Sequence, residues 1–355
     1  MKVLVAMSGG VDSSVAAKLL SDEGYECVGC TMRLYENDMI GLDLFETCCS
    51  LKDTEDARKV TEKIGIPYHI FHYENLFREK VIEPFVNSYE NGKTPNPCIE
   101  CNRVMKFKYL FEKADALGCD YLATGHYGIV EYDEEKQRYL LKKAKDPNKD
   151  QSYVLYTLTQ DQLSRLKLPL GGFCKNETRD IAETSGFVNS KKHDSQDICF
   201  IPDGDYASFI RNYRKKEYPE GDFVDENGNV LGRHKGIIFY TIGQRKGLNI
   251  SSSAPLYVTD IDPVTNTVHL SHGENLFKTE LKANSINLIS VPKIEGEMRA
   301  CAKIRYRHKE APCTVIQTGE DELTVRFDEP QRAITKGQSV VIYDGDIVVG
   351  GGTII

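Results

Sequence analysis

The stretch KVLVAMSGGVDSSVAAKLLSDEG, Lys2 to Gly24, decides the fold. Val3 to Met7 form an unbroken apolar run of strand length. After Ser8-Gly9-Gly10, the apolar side chains Val11, Val15 and Leu19, and Ala16 and Leu20, recur at i,i+4 spacing, and Gly24 supplies a helix stop. Strand, glycine turn and helix in that order aim backbone N–H groups and the positive end of a helix dipole at one point, which favours an anion. Gly9 and Gly10 allow close approach of the backbone, and Ser13 and Ser14 offer hydroxyl donors. Asp12 is a candidate Mg²⁺ ligand beside phosphates. An ordinary glycine turn with an Asp or Ser N-cap is the alternative for the loop alone. Neither G-x-x-x-x-G-K-[ST] nor G-x-G-x-x-G is present, so the loop is not of the Walker or dinucleotide type.

Outward from this unit the same alternation continues. YECVGCTMRL reads as a strand, DTEDARKVTEKIG as a helix and PYHIFHY as a strand; RVMKFKYLFEKADALG puts Phe107, Leu110, Phe111, Ala114 and Leu117 on one helix face ahead of the strand DYLATGHY. This is the pattern of an α/β, doubly wound parallel sheet, assigned to residues 1–202. From Asp203 the texture changes to short β-like stretches broken by DENGN, TDIDPVTN and SHGEN, which predicts a β-rich central domain over 203–276. ACAKIRYRHKE, PCTVIQTG, ELTVRF, SVVIYDG and IVVGGGTII then predict five strands of a small C-terminal β-barrel over 277–355.

Composition bounds the function. At 355 residues, with 40% hydrophobic and 28% charged, the chain suits a soluble protein of two or three domains. MKVLVAM is too short for an export signal and no later run reaches membrane-spanning length, so a cytoplasmic protein without membrane partners is expected. A net charge of −8 argues against a non-specific coat on nucleic acid, yet residues 191–250 carry 10 basic and 9 acidic side chains. Arg233-His234-Lys235 and Gln244-Arg245-Lys246-Gly247 form two basic patches there. A third runs from Arg299 to Lys309 without an acidic residue. In it Lys303, Arg305, Arg307 and Lys309 alternate with Ile304, Tyr306 and His308, so a strand would turn the four bases to one face, suited to phosphates or simply to solvent. Such patches on separate domains suit a folded RNA gripped by shape.

Eleven cysteines, an odd number, point to reduced thiols. Cys27, Cys30, Cys119, Cys301 and Cys313 lie in or beside β-like segments and read as small core residues. TPNPCIECN, Thr94 to Asn102, differs. A lone pair three apart, Cys98 and Cys101, is a weak zinc signal. Cys101 precedes a helix predicted to begin near Asn102, where the dipole, Arg103 and Lys106 would favour a thiolate.

SGGVDSS resembles the pyrophosphatase loop of enzymes that cleave ATP between the α- and β-phosphates, a chemistry shared by several ligases. With TPNPCIECN, ATGHY, KDQSYVLY, DSQDICFI, YTIGQRKGL and RYRH in that order, the chain resembles the bacterial tRNA-specific 2-thiouridylase family over essentially its whole length. The resemblance implies an adenine nucleotide alpha hydrolase-like domain. The implied reaction adenylates O2 of a wobble uridine with ATP and Mg²⁺, then replaces that oxygen by persulfide sulfur, releasing AMP and pyrophosphate. It implies that Ala6, Met7, Ser8, Gly9, Gly10, Val11, Asp12 and Ser13 form the ATP loop, with Met32 and Gly125 also lining the nucleotide site. Cys101 matches the nucleophile and Cys199 the persulfide carrier, and Asn96, Pro97 and Cys98 match the segment beside the target base. Lys149, Asp150, Gln151, Arg305 and Tyr306 match tRNA-contacting stretches, and His126 and Gln338 match single tRNA-contacting positions. The implied partners are tRNA and a sulfur donor fed by a cysteine desulfurase relay.

Elementary chemistry agrees, because adenylation turns a poor leaving oxygen into AMP next to a sulfur nucleophile. A metabolite-adenylating ligase gives no use to Cys101 or Cys199, and a non-catalytic nucleotide sensor or RNA-binding module none to the loop. Cys98 stands where the better-known branch of the family has Asp. Two alternatives follow. Cys98, Cys101 and Cys199 could ligate a [4Fe–4S] cluster carrying hydrosulfide, or Cys98 is a spare thiol that pairs with Cys101 on oxidation.

Overall fold

A computed structural model describes residues 1–35, 51–194 and 198–355. Strands β1 (Lys2–Ala6), β2 (Glu26–Arg33), β3 (Tyr68–His72) and β4 (Tyr121–Thr124) lie parallel in the order β3-β2-β1-β4. Helix α1 (Val11–Asp22) follows β1, and α2 (Leu51–Ile64) precedes β3. A hairpin of β5 (Ile129–Asp133) and β6 (Arg138–Lys142) leaves this sheet, and the two-residue β7 (Leu166–Lys167) rejoins it beside β4. The unbroken apolar run of β1 has a direct cause. Leu4 packs towards Phe107, Leu110 and Phe111 on one face while Val3 and Val5 pack towards Val15, Ala16 and Leu20 on the other, as a doubly covered sheet requires. Strand order reverses at β1, which puts the ligand crevice at the C-terminal ends of β1 and β4.

The helix carrying the cysteine pair, α3, covers 97–116. It is built from Pro97–Glu100, a π-helical Cys101–Tyr109 and Leu110–Ala116. It therefore begins before Cys101, not near Asn102. Asn96 is its N-cap and accepts from the Cys98 N–H at 3.1 Å, and Pro97 takes the first position, where the missing N–H is no loss. After α4 (Lys175–Thr184), a further helix α5 (Tyr206–Arg214) opens the central, mostly β region. Its Ala207, Phe209 and Ile210 enter an apolar cluster with Phe85 and Phe200. Strands β8 (Gly221–Val224), β9 (Val230–His234), β10 (Leu256–Asp262) and β11 (Thr267–His272) then form a sheet in the order β10-β11-β8-β9, with DENGN and the TDIDPVTN stretch at its two hairpins.

The C-terminal barrel has six strands, one more than expected: β12 (Phe277–Leu288), β13 (Glu297–Lys303), β14 (Ala311–Gly319), β15 (Glu322–Arg332), β16 (Ser339–Asp344) and β17 (Ile347–Ile354). The order is β12-β15-β14-β13-β16-β17, and pairing of β12 with β17 closes it. Only Leu281 and Ala283 of β12 are buried, which is why its apolar signal is weak. The β5–β6 hairpin of the first domain continues this sheet, with Lys142 opposite Ile347 of β17. Among the described residues no helix is long and apolar enough to cross a membrane.

Candidate active site

The glycine turn is shaped by close packing on two sides. Gly9 has φ +73°, and a Cβ there would lie 2.2 Å from the Asp53 carbonyl oxygen. At Gly125, just past β4, a Cβ would lie 2.6 Å from the Ser13 nitrogen, so only glycine lets this strand end touch the start of α1. Gly10 is the N-cap of α1, and no side chain caps the helix. Ser13 Oγ and Ser14 Oγ both donate to the Gly10 carbonyl, at 3.1 and 2.9 Å. Their hydroxyl protons are therefore turned into the loop, and backbone N–H groups at the start of α1 are left to hold an anion. Met7 is buried, with its N–H donating to the Cys30 carbonyl at 2.7 Å.

Charged and amide groups that no motif announced brace the loop. Asn189 Nδ2 donates to the Gly9 carbonyl and to Ser14 Oγ, both at 2.9 Å. Lys192 donates to the Gly9 carbonyl at 3.1 Å, to Asp56 at 3.1 Å and to Asp53. On the other side Asp12 accepts from the Tyr127 hydroxyl at 2.8 Å and from Lys175 Nζ at 2.7 and 2.9 Å. Lys175 also meets Asp194 at 2.7 Å. Burial opposes ionisation of Asp194, but hydrogen bonds from Lys149 and Lys175 outweigh it and hold the carboxyl below its ordinary range.

The thiols occupy three different settings. Cys98 is exposed in the first turn of α3, so the favourable helix end belongs to it and not to Cys101. Cys101 is 8% exposed, inside the helix, in the apolar cluster of Phe77, Phe85, Met105 and Phe200. Cys199 and Met32 are partly buried and pack against that same cluster. Cys199 sits in a turn, its carbonyl accepting from the Tyr35 hydroxyl at 2.8 Å. Residues 195–197 of DSQDICFI lie outside the described residues. The two cations expected to favour a Cys101 thiolate have other partners: Arg103 pairs with Glu100 at 2.6 Å, and Lys106 meets His126 Nε2 at 3.3 Å. Among the described residues no three His, Cys, Asp or Glu side chains are arranged to hold a metal ion.

Three family models match the chain in sequence: a tRNA methyl transferase HUP domain over 1–203, a tRNA methyl transferase PRC-barrel domain over 207–272, and an aminomethyltransferase beta-barrel domain over 278–354. The tRNA-specific 2-thiouridylase MnmA of Clostridioides difficile (strain 630) is 53% identical over 353 residues, 99% of this chain and 98% of its own. The chain belongs to the tRNA-specific 2-thiouridylase family. Another thiouridylase, from Acetivibrio thermocellus (strain ATCC 27405), is 50% identical over 99% of both chains. A crystal structure titled as a 4-thiouridine synthetase–RNA complex with bound ATP aligns with 60% of this chain and 50% of its own, at 18% identity and a TM-score of 0.38.

In this thiouridylase the positions matched to tRNA contacts differ in what they hold. Lys149 meets Asp194 at 2.6 Å. Asp150 accepts from the Ala144 and Ser152 N–H groups at 3.0 and 3.2 Å, and Gln151 Oε1 accepts from the Tyr127 N–H at 2.9 Å. These two side chains shape their own loop. Gln338 Nε2 donates to the Thr94 carbonyl at 2.7 Å, and the Thr94 N–H donates to Lys336 O at 3.0 Å, so the barrel grips the start of TPNPCIECN. The Tyr306 hydroxyl donates to Asp150 O at 3.2 Å; burial first, then the nearby Asp150 and Cys98, raises its pKa.

The basic run of 299–309 is not one strand face, because β13 ends at Lys303 and the chain turns through 304–308. Arg299 pairs with Asp328 at 2.6 Å and Lys303 with Glu310 at 3.7 Å. Arg305 is half-buried and donates to the Arg332 and Ala333 carbonyls, which leaves Arg307 exposed. His126 is buried, with Nδ1 2.8 Å from Thr124 Oγ1. Burial, then the neighbouring Lys106, pushes its pKa well below 6.5, so the imidazole is neutral.

Proposed function

We propose that this chain is an ATP-dependent tRNA sulfurtransferase that replaces O2 of a wobble uridine by sulfur, with 1–202 performing the chemistry and 203–276 and 277–355 gripping the RNA. One arrangement carries the reading: an uncapped helix start suited to phosphates at the end of β1, next to β2, whose Met32 packs against the apolar cluster that holds Cys101 and Cys199. The relatives' names supply the substrate class.

In the first step the uridine O2 attacks the α-phosphorus of ATP and pyrophosphate leaves. The loop from Ala6 to Ser13, with Gly125 and Met32, holds the nucleotide. Asp12, a carboxylate in the first turn of α1, is the residue that would hold Mg²⁺, an ion commonly bound through one or two carboxylates plus phosphates. The ion would neutralise phosphate charge there.

In the second step the outer sulfur of a persulfide on Cys199 attacks C2, and AMP departs with the former O2. Cys101 thiolate then attacks the Cys199 sulfur, breaking the sulfur–sulfur bond. The thiouridine is released and a Cys101–Cys199 disulfide remains, which two external thiol groups reduce while forming a disulfide of their own. A persulfide donor of a cysteine desulfurase relay recharges Cys199. A cytoplasmic setting supplies tRNA, ATP and reducing thiols together.

Pyrophosphate release with and without tRNA, followed by mass spectrometry of the digested tRNA, tests the reading. Release should require tRNA, and 2-thiouridine should appear when a persulfide donor is present. Release that ignores tRNA and rises with a small carboxylic acid would overturn it in favour of a ligase.

A further inference from the structure

We propose that Lys175 is a positioning residue that stands in for the divalent cation at Asp12 and ties occupation of the phosphate loop to Asp194, on the segment leading to Cys199; this rests on the ATP-dependent reading above and deepens it. Lys175 is 8% exposed. Its ammonium has three protons, and it makes three close contacts with carboxylate oxygens: Asp12 Oδ1 at 2.7 Å, Asp12 Oδ2 at 2.9 Å and Asp194 Oδ1 at 2.7 Å. Both oxygens of Asp12 are therefore engaged by one cation, at the helix end where phosphates would bind.

Mg²⁺ demands close, nearly octahedral oxygen ligands. An ion on Asp12 would lie within a few ångströms of the Lys175 ammonium, and the two positive charges repel, so binding of the ion loosens Lys175 from Asp12. The backbone of Lys175 is fixed, since its N–H donates to Asp146 at 3.0 Å at the start of α4. The side chain alone can move, and the other carboxylate its ammonium already contacts is Asp194. Arrival of metal and nucleotide thus strengthens the Lys175–Asp194 contact.

Asp194 is shared with Lys149 at 2.6 Å and Arg179 at 3.0 Å. Coupling runs both ways. An RNA phosphate that draws Lys149 away leaves Asp194 short of positive charge, makes it a better host for Lys175, and so lowers the cost of metal binding at Asp12. Binding of tRNA at Lys149 and of metal–ATP at the loop then favour each other without direct contact.

The test uses the full-length protein, the non-hydrolysable analogue α,β-methylene-ATP, and Mn²⁺ as the probe, with free Mn²⁺ read by electron paramagnetic resonance. Lys175→Met removes the competing ammonium and should tighten Mn²⁺ binding about tenfold. Asp194→Asn leaves Lys175 wholly to Asp12 and should weaken it by several-fold. Damage to the fold would move both variants the same way, so opposite signs support the proposal. Shifts of the same sign, or none, would overturn it. If the wild-type protein binds no analogue at all, the ATP reading falls and the proposal with it.

Discussion

The parallel sheet and the barrel build one site by opposite means. At the sheet, Gly9 after β1 touches the backbone of α2 and Gly125 after β4 touches the start of α1, so the proposed nucleotide site is shaped by backbone packed against backbone. At the barrel, long side chains and loop carbonyls reach out: Gln338 holds Thr94 and Tyr306 holds Asp150, gripping segments of the first domain from outside. The difference teaches where each kind of damage should appear. On the proposed reading, substitutions at the sheet should alter nucleotide chemistry, whereas substitutions at the barrel should alter how the TPNPCIECN segment is presented.

The largest expected effect separates chemistry from binding on the sheet side. Cys101→Ala and Cys199→Ala should each lower thiolation more than about a thousandfold, the scale of losing a nucleophile, while ATP binding measured by calorimetry stays unchanged. Wild-type amounts of 2-thiouridine from either variant would remove the thiols from the mechanism.

Next in size is Gly125→Ala. The added methyl meets backbone at the start of α1, which must shift. We expect ATP affinity to fall at least about tenfold and stability to drop by about 1–3 kcal/mol. Binding of tRNA at low ATP should change little, and an equal loss of both would erase the division between sheet and barrel.

Gln338→Ala should do the reverse. It removes one side-chain hydrogen bond to Thr94 O, a net contribution of about 1 kcal/mol. The expected result is a several-fold fall in kcat/KM for tRNA with ATP affinity intact. If ATP affinity falls instead, the barrel does not act through the TPNPCIECN segment.

The smallest effect concerns His126, on the sheet side. Its folded pKa lies below the ordinary value of 6.5, so as pH falls the unfolded chain takes up a proton that the buried imidazole does not. Stability is unaffected above that value and declines progressively as pH falls below it. Thermal unfolding of His126→Gln against wild type should show this acid loss abolished. Parallel curves would mean that His126 is not held neutral.

How much was legible in the sequence follows the same division. Val3 to Met7, Gly9-Gly10 and the α1 periodicity dictated the sheet, because a doubly covered strand and a tight turn impose composition directly. The site around Asp12 was half visible. Asp12 itself stood in the motif, but Lys175, Lys192 and Asn189 reach the loop from distant positions and share no pattern with it. The helix start near Asn102 expected from Cys101 lies instead at Asn96-Pro97, a cap followed by a first-position proline. Arg305 and Arg307 alternate like strand residues, yet the strand stops at Lys303, where the chain turns and Arg305 is spent on carbonyls of a neighbouring segment. β12 went unseen since so few of its side chains are buried.

The hairpin of β5 and β6 has a consequence for synthesis of the chain. Its outer neighbour is β17, and Lys143 reaches the Gly345 carbonyl 202 residues later. At ordinary translation speeds that interval takes roughly 10 to 40 s. Through all of it, the Lys142–Lys143 end of the hairpin waits on the ribosome without this partner, while the Tyr139 backbone is already held by Gln160. An unpaired edge is an invitation to the wrong strand, and Lys142 and Lys143 at the end of β6 place charge where a stray neighbour would dock. Nascent chains stalled just short of residue 339 would then hold a folded nucleotide loop beside an open seam, and the seam, not the loop, would be the part a chaperone has to guard.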